Sequence, residues 1–501
     1  MITHGFNQAL LTPLRAMRWR YLPLLMIYFA YGATSFSTIA ESFFVKEQLD
    51  ISAEGMMMIG VWYSLPWNIK MIFGQLVDSV PIFGSSRAVY VFISAAMMAF
   101  GSLLLVGLAG RWPSLEIFGS PNVVYLIASL VTVMGVVIQD VVADAMSVEV
   151  ISREGKTEEE IKRELGMVQV LGRLSIAFAG FLTAGLGGWL MNYASFKTIF
   201  AFTWLIPIVS VIGVLCVKIK KPVMKPINPV IFFGGLSYAI LILMIAFSDW
   251  VYRQEFIFCI SLVVIIALLK QMARHFEKET IRKVVALASV IFIYRAMPNI
   301  GPAMQWWEID NLGFDPSFFG TLAQISSGLL IIGMWFFAKP LTQKPIAWIL
   351  VVLSVLGFVL SLPMLGMYYG LHHWTEAIWG FGARSIALVD TAVSSPFAQL
   401  SMIPLLTFNA LYAPKGNAAT WFALMASLMN LAVTANNLIS KALNKVWVVT
   451  RTVHDATGHI LVQADYSQLG KLMWTSMLLN LIVPILAVAL FLGRKGFRSK
   501  G

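Results

Sequence analysis

The stretch LPWNIKMIFGQLVDSVPIFGSSRAVY, residues 65–90, sets Lys70 inside an apolar run directly after Pro66 and Trp67, then breaks into Asp78, Pro81, Gly84 and Arg87. The apolar setting extends well beyond it. Of 501 residues, 58% are hydrophobic and 12% charged, and the mean hydropathy is +0.79, which places the chain among polytopic membrane proteins rather than soluble domains. A helical span needs about 20 apolar residues to cross about 30 Å of hydrocarbon. Fourteen such runs can be drawn: six at 22–44, 54–77, 88–110, 121–148, 165–190 and 197–217, two at 229–248 and 254–270, and six at 284–306, 317–338, 345–370, 378–412, 417–440 and 471–493. Their length and uniform apolarity favour helices over barrel strands, which are about ten residues long and alternate.

This grouping divides the chain into an N-terminal half at 1–217, a linker with two extra spans at 218–283, and a C-terminal half at 284–501. An internal echo supports two related halves. FFVKEQLDIS at 43–52 and WWEIDNLGFD at 306–315 share an aromatic pair, a Leu and a closing polar residue at a constant offset of 263, and DVVADA at Asp140 is echoed by DTAVSS at Asp390. Two six-helix halves related as parallel repeats, with two inserted helices, are an architecture of secondary transporters. The longest connection, 442–469, contains VWVVTRTVHDATGHILVQADY, two β-prone runs around a turn, and is expected to form a small hairpin.

Charge sets the orientation. With the N-terminus cytoplasmic, 24 of the 36 Lys and Arg fall on cytoplasmic segments and 8 on outer loops, a strong positive-inside bias that also places the C-terminus in the cytoplasm. The net charge of +11 therefore reads as membrane anchoring and not nucleic-acid binding. Arg15, Arg18 and Arg20 precede a full-length span without a small-residue cleavage site, so the first helix itself is expected to direct insertion. His372 and His373 lack nearby Cys or Asp, which argues against a zinc site, and no nucleophile–base pair points to an enzyme. No cofactor is expected.

Chemistry is then sought where charge sits at membrane depth, because each such group costs at least ~2.5–3.5 kcal/mol to insert. Seven residues qualify: Lys70, Asp140, Asp144, Arg173, Arg295, Arg384 and Asp390. Asp140 and Asp144 are four apart on one helix and would repel unless a cation or a proton intervenes. Lys70, Asp140 and Arg173 lie at similar depth, about 10–15 Å from the cytoplasmic ends of their helices. Asp140, Asp144 and Arg173 are the candidates for proton coupling. Arg295 and Arg384 have no acidic neighbour on their own helices and present a planar fork suited to a carboxylate, so with Lys70 and Asp390 they are the substrate candidates. Trp306 and Trp307 end a helix that Pro298, Gly301 and Pro302 will bend, which suits a binding wall or gate.

The opening stretch also resembles the signature of the folate-biopterin transporter family of the major facilitator superfamily. FFVKEQLDISAEG, QDVVADAMSVE, NLGFDPSFFG and PKGNAATWFALMASLMN resemble further stretches of that family, so the likeness covers most of the chain. It implies a major-facilitator-like fold and proton-coupled import of a folate or pterin by alternating access. The partners implied are an organic anion, protons and the lipid bilayer. The expected form is a monomer in a plasma, or bacterial inner, membrane. Gly74, Asp78 and Arg87 resemble the superfamily's loop motif between the second and third helices and are read as a conformational latch. Two departures bear on the cargo: fourteen spans stand where twelve are usual, and Ala418 stands where the family commonly has an acidic residue. Muropeptides, siderophores and other organic anions remain alternative cargoes, and a transporter-like sensor or scaffold is the alternative class.

Overall fold

The computed structural model describes residues 17–493 apart from 84–86, 152–154, 156, 217–228, 247, 249, 343, 399, 402–417 and 455–459. Helices dominate because in hydrocarbon each backbone N–H and C=O must be satisfied within the segment. In chain order they include α1 (Leu22–Ala33), α2 (Thr38–Gln48), α3 (Ala53–Asn68), α4 (Lys70–Ser79), α5 (Ala88–Ala109), α6 (Pro121–Glu149), α7 (Glu158–Thr183) and α8 (Leu205–Cys216). There follow α9 (Pro229–Ala246), α10 (Arg253–Met272), α11 (Lys278–Arg295), α12 (Ala303–Leu312), α13 (Pro316–Thr342), α14 (Ile346–Leu360), α15 (Ala383–Ser394), α16 (Ala418–Val446) and α17 (Leu469–Phe491).

Among the described residues, nine helical segments are long and apolar enough to cross a membrane, against the fourteen runs drawn from sequence. The expected spans 229–248, 378–412 and 417–440 run partly over residues outside the described ones, and two others are interrupted. The expected span 54–77 is broken at Ile69 into α3 and α4, and the expected span 284–306 loses its helix at 296–302 between α11 and α12. Pro66 lies in the last turn of α3, and Pro298 and Pro302 lie in the second break, where a proline lacks the N–H donor of a continuing helix.

Two compact units divide the structure. One takes the chain through Phe44, Ile69–Ala239 and Phe319–Gln324; the other takes Val45–Asn68, Ile240–Phe318 and everything from Ile325 on. The first unit is centred on Tyr21, Leu24, Ile27, Tyr28, Val91, Val142, Met146 and Leu171. Small residues set its helix spacing: a Cβ on Gly135 of α6 would stand 2.6 Å from the Ser94 carbonyl of α5. In lipid, close van der Waals packing of this kind replaces the hydrophobic driving force. The second unit has one core around Val290, Ile291, Ile346, Leu350, Trp421 and Leu431, and another around Ala303, Trp307, Met367, Leu469 and Leu472.

The expected hairpin is present in the second unit: β1 (Val453–His454) pairs antiparallel with β2 (Ile460–Val462), with a bridge from Thr450 to Asp465; the DATG turn lies outside the described residues. Arg451, just before β1, is buried and donates to the carbonyls of Lys46 and Leu49 at the C-terminal end of α2, where helix carbonyls lack partners. Lys46 in turn pairs with Asp310 at 2.5 Å, so the two segments that echo each other in sequence, 43–52 and 306–315, meet through opposite charges.

Candidate functional site

The break at Ile69 makes Lys70 the first residue of α4. A cation at a helix N-terminus opposes the helix dipole, so this ammonium needs outside compensation. α6 supplies it. Lys70 Nζ donates to Asp140 Oδ2 at 2.5 Å and to Asp144 Oδ2 at 2.6 Å, which resolves the repulsion expected of two carboxylates one turn apart. Tyr28 Oη of α1 donates to Asp144 Oδ1 at 2.9 Å. The two acids differ in access: the Asp140 side chain is 10% exposed and that of Asp144 is 47% exposed.

Arg173 reaches the same place from α7. Gly172 lets that helix press on the Tyr28 ring, where a Cβ would come within 2.6 Å of Cε2, and Ser175 Oγ ties α7 to the Leu25 carbonyl of α1 at 2.7 Å. Arg173 is exposed, acts electrostatically on Asp140, Tyr28 and Tyr31, and forms no ion pair within 4 Å among the described residues. Four helices thus bring two cations and two anions together, a formal charge of zero. Of the four, Asp140 is the buried charge, so removing the Lys70 ammonium that pairs with it is the costliest loss.

The latch candidates sit one helix-end away. Arg87 is buried, donates from Nη1 to the Val77 carbonyl at 2.5 Å, and grips Glu149 through Nε at 3.1 Å and Nη2 at 2.5 Å. Glu149, the last residue of α6, was not singled out in sequence although it closes the QDVVADAMSVE stretch. No described atom comes within 4 Å of a Cβ placed on Gly74, and Asp78 lies in the last turn of α4 with its side chain outside what the structure describes.

In the second unit the candidates do not converge in the same way. Arg384, at the start of α15, is exposed and pairs with Asp315 at 2.6 Å, donates to the Gly313 carbonyl at 3.3 Å and covers the Phe318 ring at 5.1 Å. Its acidic partner comes from the short connection just before α13, which neighbours on its own helix do not reveal. Burial pushes the Asp315 carboxyl up, but the Phe318 N–H and the Arg384 guanidinium outweigh it and hold the group below the usual carboxylate range. Asp390 lies near Glu308 of α12, an acid that sequence reading passed over because it falls just beyond the expected span. Trp306 and Trp307 are buried in packing: the Arg451 guanidinium lies 5.2 Å from Trp306, and Tyr368 lies 5.6 Å from Trp307.

Arg295 ends α11, where the helix opens. The unwound backbone that follows is satisfied by amides and hydroxyls from α16 and α17. Asn436 Nδ2 donates to the Met297 carbonyl, Asn480 Nδ2 and Ser476 Oγ donate to the Pro298 carbonyl at 2.7 and 2.9 Å, and Asn444 Nδ2 donates to the Ile300 carbonyl at 3.3 Å. Asn299 donates its backbone N–H to Ser440 Oγ and its Nδ2 to Asn436 Oδ1, both at 2.9 Å. Gly301 takes φ +77°, in the left-handed region that favours glycine. α16 also carries Thr434, which meets Ser64 at 2.7 Å and Asn68 at 3.0 Å on α3.

Residues 32–492 match the model of the BT1 family. A folate-biopterin transporter of Synechocystis sp. is 27% identical over 464 residues, 92% of this chain and 82% of its own length. A probable folate-biopterin transporter 4 of Arabidopsis thaliana is 22% identical over 446 residues, 83% of this chain and 87% of its own. Among solved structures, a POT family transporter in complex with a thioalcohol-conjugated peptide aligns with a TM-score of 0.62 at 12% identity, over 95% of this chain and 99% of that one. A D-xylose-proton symporter aligns with 0.57 at 11% identity, over 93% and 95%. At such identities these structures bear on the fold, which is of the major facilitator type.

Proposed function

The chain belongs to the BT1 family, and on that footing we propose that it is a secondary active transporter that imports a folate or pterin-type organic anion together with protons, by alternating access. The observation that carries this reading is the Lys70 ammonium shared by Asp140 and Asp144 within a helical membrane protein. Ionisable groups at membrane depth are costly and mark ion and substrate pathways. A carboxylate held by one shared ammonium takes or releases a proton as its surroundings change, and this is the step through which a proton gradient drives accumulation. The cargo class is supported by relatives described as folate-biopterin transporters from a cyanobacterium and a plant.

Flat pterin rings stack on aromatic side chains, and their ring N–H and amino group together suit one carboxylate, for which Asp390 is the candidate. Arg295 is the candidate for a carboxylate of the cargo in the second unit. Arg87, with Gly74 and Asp78, acts as a latch at the end of α6. The protein works as a monomer in a plasma membrane with both termini cytoplasmic, as the distribution of Lys and Arg supports.

Purified protein in liposomes, loaded to set a pH gradient, tests the reading with labelled folic acid. Accumulation above equilibrium only when the outside is acidic is the expected result. Absence of labelled folic acid, pterin, muropeptide or siderophore uptake under any gradient overturns transport; accumulation of one of the last two keeps the transport class and replaces the cargo.

A further inference from the structure

Resting on the transport reading above, we propose that Arg173, and not Lys70, receives a carboxylate of the cargo in the first unit, and that its docking recruits one proton to the Asp140–Asp144 pair. Sequence reading gives these two cations the opposite roles. The structure distinguishes them by commitment. Two of the three N–H donors of Lys70 are taken by the aspartates at 2.5 and 2.6 Å, and its side chain is 22% exposed. An anion that drew Lys70 away would leave Asp140, 10% exposed, with its nearest positive charge removed. Arg173 is exposed, has no ion pair among the described residues, and offers the planar fork that binds a carboxylate through two parallel hydrogen bonds.

Charge balance then supplies the coupling. The groups facing one another are Tyr28 and Tyr31 of α1, Lys70 of α4, Asp140 and Asp144 of α6, and Arg173 of α7. With both tyrosines neutral and both acids ionised, the set is neutral; a docked carboxylate makes it −1, and one proton restores zero. An uncompensated charge within the membrane is unfavourable, so the anion and the proton enter most readily together. The proton goes to the Asp140–Asp144 pair, whose two carboxylates share the one Lys70 ammonium. The proton adds to a carboxylate oxygen and leaves the same way, and no other bond changes. A pterin without a carboxylate leaves the set neutral and needs neither Arg173 nor the proton.

Two probes test this: folic acid, which carries carboxylates, and biopterin, which carries none. In wild-type protein in weakly buffered detergent, an indicator dye is expected to report about one proton taken up per folic acid bound and none per biopterin. In liposomes, Arg173→Gln is expected to weaken folic acid exchange roughly tenfold or more in apparent affinity while affecting biopterin exchange far less. Folic acid binding without proton uptake in the wild type overturns the inference, and this arm needs no variant. A folded R173Q protein that exchanges folic acid like the wild type, or loses both probes equally, also overturns it. Wild-type protein that exchanges neither probe removes the pterin transport reading itself, a different failure from loss of Arg173 dependence.

Discussion

Two of the expected spans are broken, and opposite chemistry holds the two breaks. Between α3 and α4 the chain stops at Ile69 and restarts on Lys70, whose ammonium is fixed by two carboxylates of α6. Between α11 and α12 the chain opens over 296–302, and neutral amides and hydroxyls of α16 and α17 satisfy its carbonyls. An amide ladder is indifferent to pH and to small ions, so it fixes a shape. A balanced set of charges answers to each added proton or anion, so it switches. On the proposed function, coupling falls to the first break and framework to the second.

Lys70→Met gives the largest effect the comparison demands. It strands two carboxylates, one of them buried, and is expected to cost about 3–5 kcal/mol, seen as a lowered unfolding temperature in detergent. Adding Asp140→Asn in the same chain is expected to restore most of the loss, since it removes the buried charge that lost its partner. Asn436→Ala is expected to act more weakly, by about 1–3 kcal/mol, through the stranded Met297 carbonyl and Asn299 amide. Its effect should not change between pH 6 and pH 8, whereas that of Lys70→Met should, and equal pH behaviour of the two would erase the distinction.

The charge cluster, though not the break at Ile69, was largely readable from residue numbers. Lys70, Asp140 and Arg173 come out at one depth because helix rise is fixed, and the spacing of Asp140 and Asp144 calls for a cation or a proton between them. Tyr28 was not readable, because a tyrosine in an apolar helix carries no mark of its partner until helix packing is known. Neither was the pairing of Arg384 with Asp315, which joins residues 69 apart. The proline and glycine residues announced a bend near residue 300, but not which side chains satisfy it. Asn436, Asn444 and Asn480 stand within long apolar helices, where an asparagine reads equally as a helix contact or a ligand. The interruptions account for the two expected spans 54–77 and 284–306, because hydropathy registers apolar residues on both sides of a break and not the break itself.

The central claim is that the Lys70 cluster couples cargo movement to protons, and Asp144→Asn addresses it most directly, because it keeps the shape of the side chain while removing one of the two carboxylates that share Lys70. In liposomes, labelled folic acid should still exchange across the membrane through the variant at a rate near that of the wild type, while accumulation driven by an inward proton gradient should disappear. Gradient-driven accumulation that survives in D144N, or loss of exchange and accumulation to the same degree, would contradict the account.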